Sequence, residues 1–235
     1  MSFTSYSKGR SSSVGTPLRI PSTTWSWELR NEIYKPYWTQ LEDFVEKERK
    51  WKNVLPEEKW MWESLSATAP SSVKVVLPSL EPSIHPYQSC GLAYSSIRGS
   101  YHCTKEARQI HRVLKRDMGI DNKDYGDLAY LAAQGVLLLP SRLTVEQGKK
   151  GSHADQGWEM LFCEVLKVLD RSPRRISFIF PGELQQYADV IENPNHQVQK
   201  VPDVLSEQFL FSRCFSEANK FIQASGRVPI NWKVV

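Results

Sequence analysis

The sequence lacks the signatures of several large functional classes. Its 235 residues contain no phosphate-binding loop of the G-x-x-x-x-G-K-[ST] type, no G-x-G-x-x-G stretch and no G-x-S-x-G elbow. No apolar run approaches the roughly 20 residues that a membrane-spanning helix needs, so no membrane association is expected. The excess of basic over acidic residues is small, with a net charge of +4. Such a charge permits contact with nucleic acid without requiring it.

Cysteine is scarce as well. The four cysteines lie far apart and form no C-x-x-C pair, which is typical of free thiols in a reducing compartment. Two of them, Cys90 and Cys103, come close in sequence to His85 and His102. This spacing matches no standard zinc site. The sequence therefore predicts neither a bound metal nor a cofactor.

Acidic residues are absent from the first 24 positions, which are rich in serine, threonine, glycine and proline. Such a segment buries too little apolar surface to offset the entropy lost on ordering. We therefore expect residues 1–24 to be a disordered basic tail and residues 25–235 to be one folded domain. The same composition is compatible with a mitochondrial presequence. The expected location is the nucleus, with the mitochondrion as the alternative.

Beyond residue 70, short apolar runs alternate with segments of helical periodicity. The apolar runs predict strands near 73–77, 136–139, 176–180 and, more weakly, 197–201. Apolar residues at helical spacing predict helices within 28–50, 104–117, 127–134, 155–170 and 209–224.

This alternation indicates an α/β protein. We expect a three-layer α/β/α fold in which helices cover both faces of a central four-stranded parallel sheet. In such sheets ligands bind at the carboxyl ends of the strands. The loops that begin at Pro78, Pro140, Pro181 and Pro202 are therefore expected to surround the site.

Several short segments, in a fixed order and spacing, carry a family resemblance. They include Val75-Val76-Leu77, Gly91-Leu92-Ala93-Tyr94-Ser95, Gly135 to Leu139, Gly151-Ser152-His153, Gly157-Trp158-Glu159 and Pro229-Ile230-Asn231-Trp232. Together they resemble the family-one uracil-DNA glycosylases over about residues 25–233. The resemblance implies the fold of that family. It also implies a mechanism in which the target nucleotide is flipped out of the DNA stack into a tight pocket.

The resemblance also assigns roles to loop positions. In the family a loop aspartate orients water, and this position holds Glu81, a carboxylate that is one methylene longer. The preceding glutamine of the family is Leu80, and the tyrosine that guards the pocket is Ser83. A shift of about 1 Å in a catalytic group costs roughly a hundredfold in rate. Glu81 is therefore the one residual catalytic candidate.

Other family side chains are replaced more drastically. The phenylalanine that stacks on the base is Tyr94, and the asparagine that reads the uracil edge is Pro140. The histidine that stabilises the departing uracil anion is Val201, which has no hydrogen to donate. A phosphate-binding serine is Glu183, while the leucine that wedges into DNA is retained as Leu205. By resemblance, His153 is a buried structural histidine.

Positive side chains gather on and just before the helix predicted at 104–117: Arg98, Lys105, Arg108, Arg112, Lys115 and Arg116. Such a run is either a solvated helix face or a patch that contacts phosphates, with Arg98, Lys105, Arg108 and Arg112 as the candidate contacts. His85 and His102 lie near the presumed pocket, where either is a candidate substitute for the missing histidine.

Three hypotheses about function follow. The first is a catalytically degenerate homologue that serves as a non-enzymatic binding or scaffolding module in DNA repair or replication. Its expected partner is a protein of a DNA-maintenance complex, and outside such a complex the chain is expected to be a monomer. The second is an altered DNA glycosylase that uses Glu81 to orient water. The third is a non-catalytic protein that binds DNA weakly.

Overall fold

The computed structural model describes residues 18–20, 24–99 and 102–233. Among these residues the α-helices are α1 (Thr24–Glu28), α2 (Pro36–Trp51), α3 (Glu63–Ala67), α4 (Lys105–Met118), α5 (Ala129–Ala132), α6 (Trp158–Asp170) and α7 (Cys214–Ala224). The strands are β1 (Val54–Leu55), β2 (Val75–Val76), β3 (Val136–Leu137), β4 (Val145–Glu146), β5 (Ser177–Pro181) and β6 (Gln197–Val201). No helix of the described part is long and apolar enough to cross a membrane.

The central sheet is four-stranded, in the order β3-β2-β5-β6, and every neighbouring pair is parallel. The predicted three-layer fold is thereby confirmed. Because all four strands run in the same direction, their carboxyl ends share one edge. The loops that begin at Pro78, Pro140 and Pro202 leave this edge, and β5 itself ends there at Pro181. This edge positions the site.

Alternate residues of each strand face opposite layers, as the two-residue period of a strand requires. Val76, Leu137 and Phe178 belong to the core beneath α2 and α6. Val75 and Ile179 belong to the core beneath α4 and α7. A strand that is buried on both faces reads as a continuous apolar run. This is why the central strands could be predicted from sequence.

Helix α4 begins as its sequence predicts. The Thr104 side chain accepts a hydrogen bond from the Ala107 N–H at 2.9 Å, so it satisfies one of the free amide groups of the first turn. The helix ends at Gly119, whose φ of 71° is costly for other residues. The Thr104 hydroxyl also donates to the Tyr94 carbonyl at 2.7 Å. The cap therefore joins α4 to the loop that follows β2.

Two features of the fold depart from the sequence analysis. Strands β1 and β4 form a small antiparallel pair. Each has only two residues, which is too short to produce a recognisable strand pattern in the sequence. Near the N-terminus, Leu18 and Ile20 fall within the predicted tail, yet they pack against the core because they are apolar. Thr24, the last residue of that predicted tail, begins α1. The rest of the predicted tail, residues 1–17 and 21–23, lies outside the described residues, so its disorder stays a prediction.

Two buried histidines make stability depend on pH. His153 is fully buried, with Nδ1 2.7 Å from Thr144 Oγ1 and Nε2 3.5 Å from a Glu48 carboxylate oxygen. His111 is also buried, with Nε2 2.7 Å from the Tyr125 carbonyl. Burial lowers the pKa of both imidazoles, and nearby acceptors oppose this only in part.

We therefore expect the protein to lose stability as pH falls below the unfolded histidine value of about 6.5. The unfolded chain takes up these protons at a higher pH than the folded chain, so acid favours unfolding. The slope is at most about 1.4 kcal/mol per pH unit for each imidazole. Urea midpoints at pH 7.5 and 5.5 measure the loss, which His111→Gln should reduce. The exposed His85→Gln is the control and should leave the loss unchanged, and a loss that His111→Gln does not reduce would contradict this assignment.

Candidate functional site

A cavity of about 440 Å³ opens at the carboxyl ends of the strands. The loops after β2 and β6 and the first turn of α4 form its wall. The charged side chains of the lining are Glu81, Lys105, Glu106, Lys150 and Asp203. The lining therefore carries charges of both signs.

Both carboxylate oxygens of Glu81 already have a partner. The Gly151 N–H lies 3.1 Å from Oε1 and 2.8 Å from Oε2, so it donates to the carboxylate as a whole. A guanidinium nitrogen of Arg142 lies 3.7 Å from Oε2. Burial raises the pKa of Glu81, while the Gly151 N–H and the positive charges of Arg142 and Lys150 oppose that rise.

Arg142 joins Glu81 to a second carboxylate. Its Nε donates to Glu159 Oε1 at 2.6 Å. All three side chains are less than one-fifth exposed. Burial alone would lower the pKa of Arg142, but Glu159 and Glu81 raise it on balance, so the guanidinium stays charged. The result is an ion triad of one cation between two anions, defined by Glu81, Arg142 and Glu159.

Tyr94 lines the cavity and is held by its own hydroxyl. Its hydroxyl donates to the Pro78 carbonyl in the loop after β2, and its backbone has a φ of 66°, which non-glycine residues adopt rarely. Burial raises the pKa of the phenol well above its usual range, and Glu106 and Asp203 add to that rise. The hydroxyl therefore stays protonated, and its hydrogen is already used in the bond to the Pro78 carbonyl.

We expect Tyr94→Phe to lower the free energy of unfolding by about 1 kcal/mol, because the Pro78 carbonyl loses its donor. Urea unfolding measures this cost. The exposed Tyr87→Phe is the matched control and should change stability by less than about 0.5 kcal/mol. Equal effects of the two changes would show that the Tyr94 hydroxyl makes no stabilising bond.

The two most drastic replacements do not reach the cavity. Pro140 and Val201 are buried, and neither is among the residues that line it. Pro140 lies beside Ser79, where the chain after β3 continues parallel to the chain after β2. Val201 packs in the core beneath α4 and α7. These short apolar side chains end within the protein, so the pocket that the resemblance implies is lined at these points by other groups.

Leu80 and Ser83 do line the cavity. Leu80 also packs against the core, and its carbonyl accepts from Ser141 Oγ at 2.7 Å. The Ser83 hydroxyl donates to Gln88 Oε1 at 3.3 Å. Of the two candidate histidines, His85 lines the cavity. His102 instead stacks on the Tyr87 ring, with the two ring centres 5.5 Å apart.

The loops after β5 and β6 meet at Gly182. A Cβ atom at this position would lie 2.9 Å from Asp203 Oδ2, and the φ of 56° also favours glycine. Asp203 lines the cavity and accepts the Leu205 N–H at 2.8 Å. Leu205 is 47% exposed, as expected for a side chain that reaches outward. Glu183 is exposed and lies outside the cavity lining, so of these two acidic residues only Asp203 faces the cavity.

The candidate phosphate contacts differ in their position and in their ion pairing. Lys105 lines the cavity, and Arg98 and Arg112 are exposed. Arg108 is bound to Asp124 at 3.1 Å, which offsets its charge. The predicted run of cations is therefore not one continuous patch.

Sequence reasoning missed Arg142, Glu106 and Lys150. Arg142 comes two residues after Pro140, but its carboxylate partners Glu159 and Glu81 lie 17 and 61 residues away in the chain. Across the described residues, no group of three or more His, Cys, Asp or Glu side chains is placed to hold a metal ion.

Comparison with known proteins identifies the family. The chain is 36% identical to a uracil-DNA glycosylase of Coxiella burnetii over 215 residues, which cover 89% of this chain and 93% of that protein. It is 35% identical to uracil-DNA glycosylase 1 of Listeria monocytogenes over 214 residues, which cover 89% and 96% of the two chains. No protein-family model matches. The chain belongs to the uracil-DNA glycosylase family.

Solved structures agree on the fold. A crystal structure of mimivirus uracil-DNA glycosylase superposes with a TM-score of 0.83 at 17% identity, covering 90% of this chain and 86% of that one. A variant of the mimivirus protein in complex with UGI gives a TM-score of 0.81 at 17% identity, covering 93% and 89%. At this identity the likeness concerns the fold alone.

Proposed function

We propose that this member of the uracil-DNA glycosylase family no longer excises uracil and acts as a non-enzymatic binding or scaffolding module in DNA repair or replication. The supporting observation is the ion triad. Glu81, at the position of the family's water-orienting acid, directs its carboxylate to the Gly151 N–H and Arg142. A carboxylate held in this way is a structural partner rather than a base for water.

The remaining pocket chemistry supports the same proposal. Pro140 and Val201 supply neither an amide to read the uracil edge nor a donor for the developing negative charge. Losing one preorganised donor costs about 10²–10³ in rate. Losing the groups that pair with a substrate's polar edge costs about 10⁴ in discrimination. Together these losses leave no route to efficient uracil release.

The binding test compares ligands that differ only in the base. Free uracil is titrated into the protein, and uracil- and thymine-containing duplexes of the same sequence are compared by fluorescence anisotropy. We expect no saturable uracil binding and equal affinities for the two duplexes. An active glycosylase assayed alongside is the positive control. Preference for the uracil duplex would contradict the loss of base reading.

The altered-glycosylase hypothesis rests on a different observation. Glu81 lines the cavity and its pKa is raised by burial, which are properties of some catalytic carboxylates. Its test is uracil release that disappears in Glu81→Ala.

The DNA-binding hypothesis rests on the exposed cations Arg98, Lys105 and Arg112. It predicts duplex affinity that falls steeply and linearly with the logarithm of salt concentration. A flat salt dependence would exclude that role.

A nuclear location, with the mitochondrion as the alternative, is part of the proposed function, and the compartment in which the tagged chain is found tests it.

A further inference from the structure

Helix α4 carries two rows of cations with different surroundings. Residues Lys105, Gln109, Arg112 and Arg116 are spaced by four, three and four residues, so they lie on one face of the helix. The second row contains Arg108 and Lys115. These two are bound to Asp124 at 3.1 Å and Asp121 at 2.8 Å.

The first row has no such neutralisation. Among the described residues, no carboxylate lies within ion-pair distance (4.0 Å) of Lys105, Arg112 or Arg116. Arg112 donates instead to the neutral Gln109 Oε1 at 3.3 Å. The first row therefore presents three cations to solvent that form no direct ion pair among the described residues.

Exposed apolar side chains border this row. The segment after β6 runs beside α4, where Gln109 Nε2 donates to the Ser206 carbonyl at 3.3 Å. Leu205 and Phe211 on this segment are 47% and 61% exposed. The Arg116 guanidinium lies 4.0 Å from the centre of the Phe211 ring, a distance at which the cation and the ring attract each other.

We infer that this surface docks an acidic protein segment that carries apolar side chains. The surface, called the α4 docking face, is defined by Lys105, Arg112, Arg116, Leu205 and Phe211. The inference rests on the proposed function, because it names the kind of partner that a non-enzymatic module would bind. Aromatic residues and arginine are the side chains that dominate protein interfaces.

The mixed composition of the face favours a protein over DNA. Phosphates along a DNA backbone form a continuous line of charge, and exposed Asp203 and Glu207 on the same segment would repel it. The carboxylates of a protein segment are discrete and can be placed opposite Arg112 and Arg116 alone. A protein also supplies apolar side chains to cover Leu205 and Phe211, which a phosphate backbone does not.

The test is selection of a phage-displayed library of random peptides on the folded protein. Enriched peptides are then synthesised and their affinities measured by fluorescence anisotropy at physiological salt. We expect enriched peptides to be acidic and to contain leucine or aromatic residues. Arg112→Gln combined with Arg116→Gln, and separately Phe211→Ser, should each weaken binding by about tenfold. Arg108→Gln combined with Lys115→Gln removes the same charge from the same helix and should change affinity by less than about twofold.

Four results would overturn the inference: no enrichment, enriched peptides without acidic residues, equal losses in the two double variants, or no loss in Phe211→Ser. Duplex DNA measured on the same variants separates the other class of partner. If the Arg112 and Arg116 changes weaken DNA binding more than peptide binding, the face is a phosphate site instead. Uracil release assayed on the natural chain reports on the proposed function independently of these outcomes.

Discussion

A variant that combines Glu81→Asp, Pro140→Asn and Val201→His is expected to release uracil from DNA at a rate at least about 10³-fold above the background at which the natural chain stays. Each change returns a side chain that the family's chemistry uses. Aspartate is one methylene shorter than glutamate, so its carboxylate withdraws from the Gly151 N–H and Arg142 and is available to water. Asparagine restores two donors and an acceptor for the base edge, and histidine restores a donor for the uracil anion.

The gain should be strongly non-additive. Residues that act as a unit contribute little singly, because each remaining defect still limits the rate. Single-turnover uracil release from a labelled oligonucleotide measures all variants. We expect each single change to stay near background and the triple change to rise above it. A single Val201→His that recovers most of the rate would mean that the other positions are already competent.

The largest expected stability effect is that of Arg142→Ala. Removing the guanidinium leaves the carboxylates of Glu81 and Glu159 without the cation that contacts both of them. Breaking a fully buried ion pair on one side costs about 3–5 kcal/mol. These side chains keep some exposure to water, so we expect a loss of about 2 kcal/mol.

Urea unfolding measures that loss, with the exposed Arg112→Ala as the matched control at less than about 0.5 kcal/mol. A cycle that combines Arg142→Ala with Glu81→Gln isolates the Glu81 contribution. If the two changes are additive, Arg142 does not hold Glu81, and the structural role assigned to this carboxylate is wrong.

The sequence was informative where burial leaves a local pattern. Strands β3 and β5 read as continuous apolar runs because both of their faces are covered. Helix α4 was delimited to within one residue of its observed ends because its apolar spacing and its Thr104 cap are local signals. The carboxyl-end position of the site follows from the parallel sheet, so it too was predictable.

The remainder depends on contacts that no local pattern encodes. The partners of Glu81 are Gly151 and Arg142, 70 and 61 residues away in the chain. The row of cations on α4 divides into two because Asp121 and Asp124 fold back onto one side of it. The positions of Pro140 and Val201 outside the cavity lining likewise depend on contacts between segments that are distant in the chain.

The central claim is that uracil excision is lost, and single-turnover uracil release by the natural chain tests it most directly. The protein is incubated in excess over single- and double-stranded oligonucleotides that contain one uracil, next to an active family member and the Glu81→Ala variant. We predict no release from either substrate, with the natural chain indistinguishable from Glu81→Ala. Robust release by the natural chain, abolished by Glu81→Ala, would contradict the account.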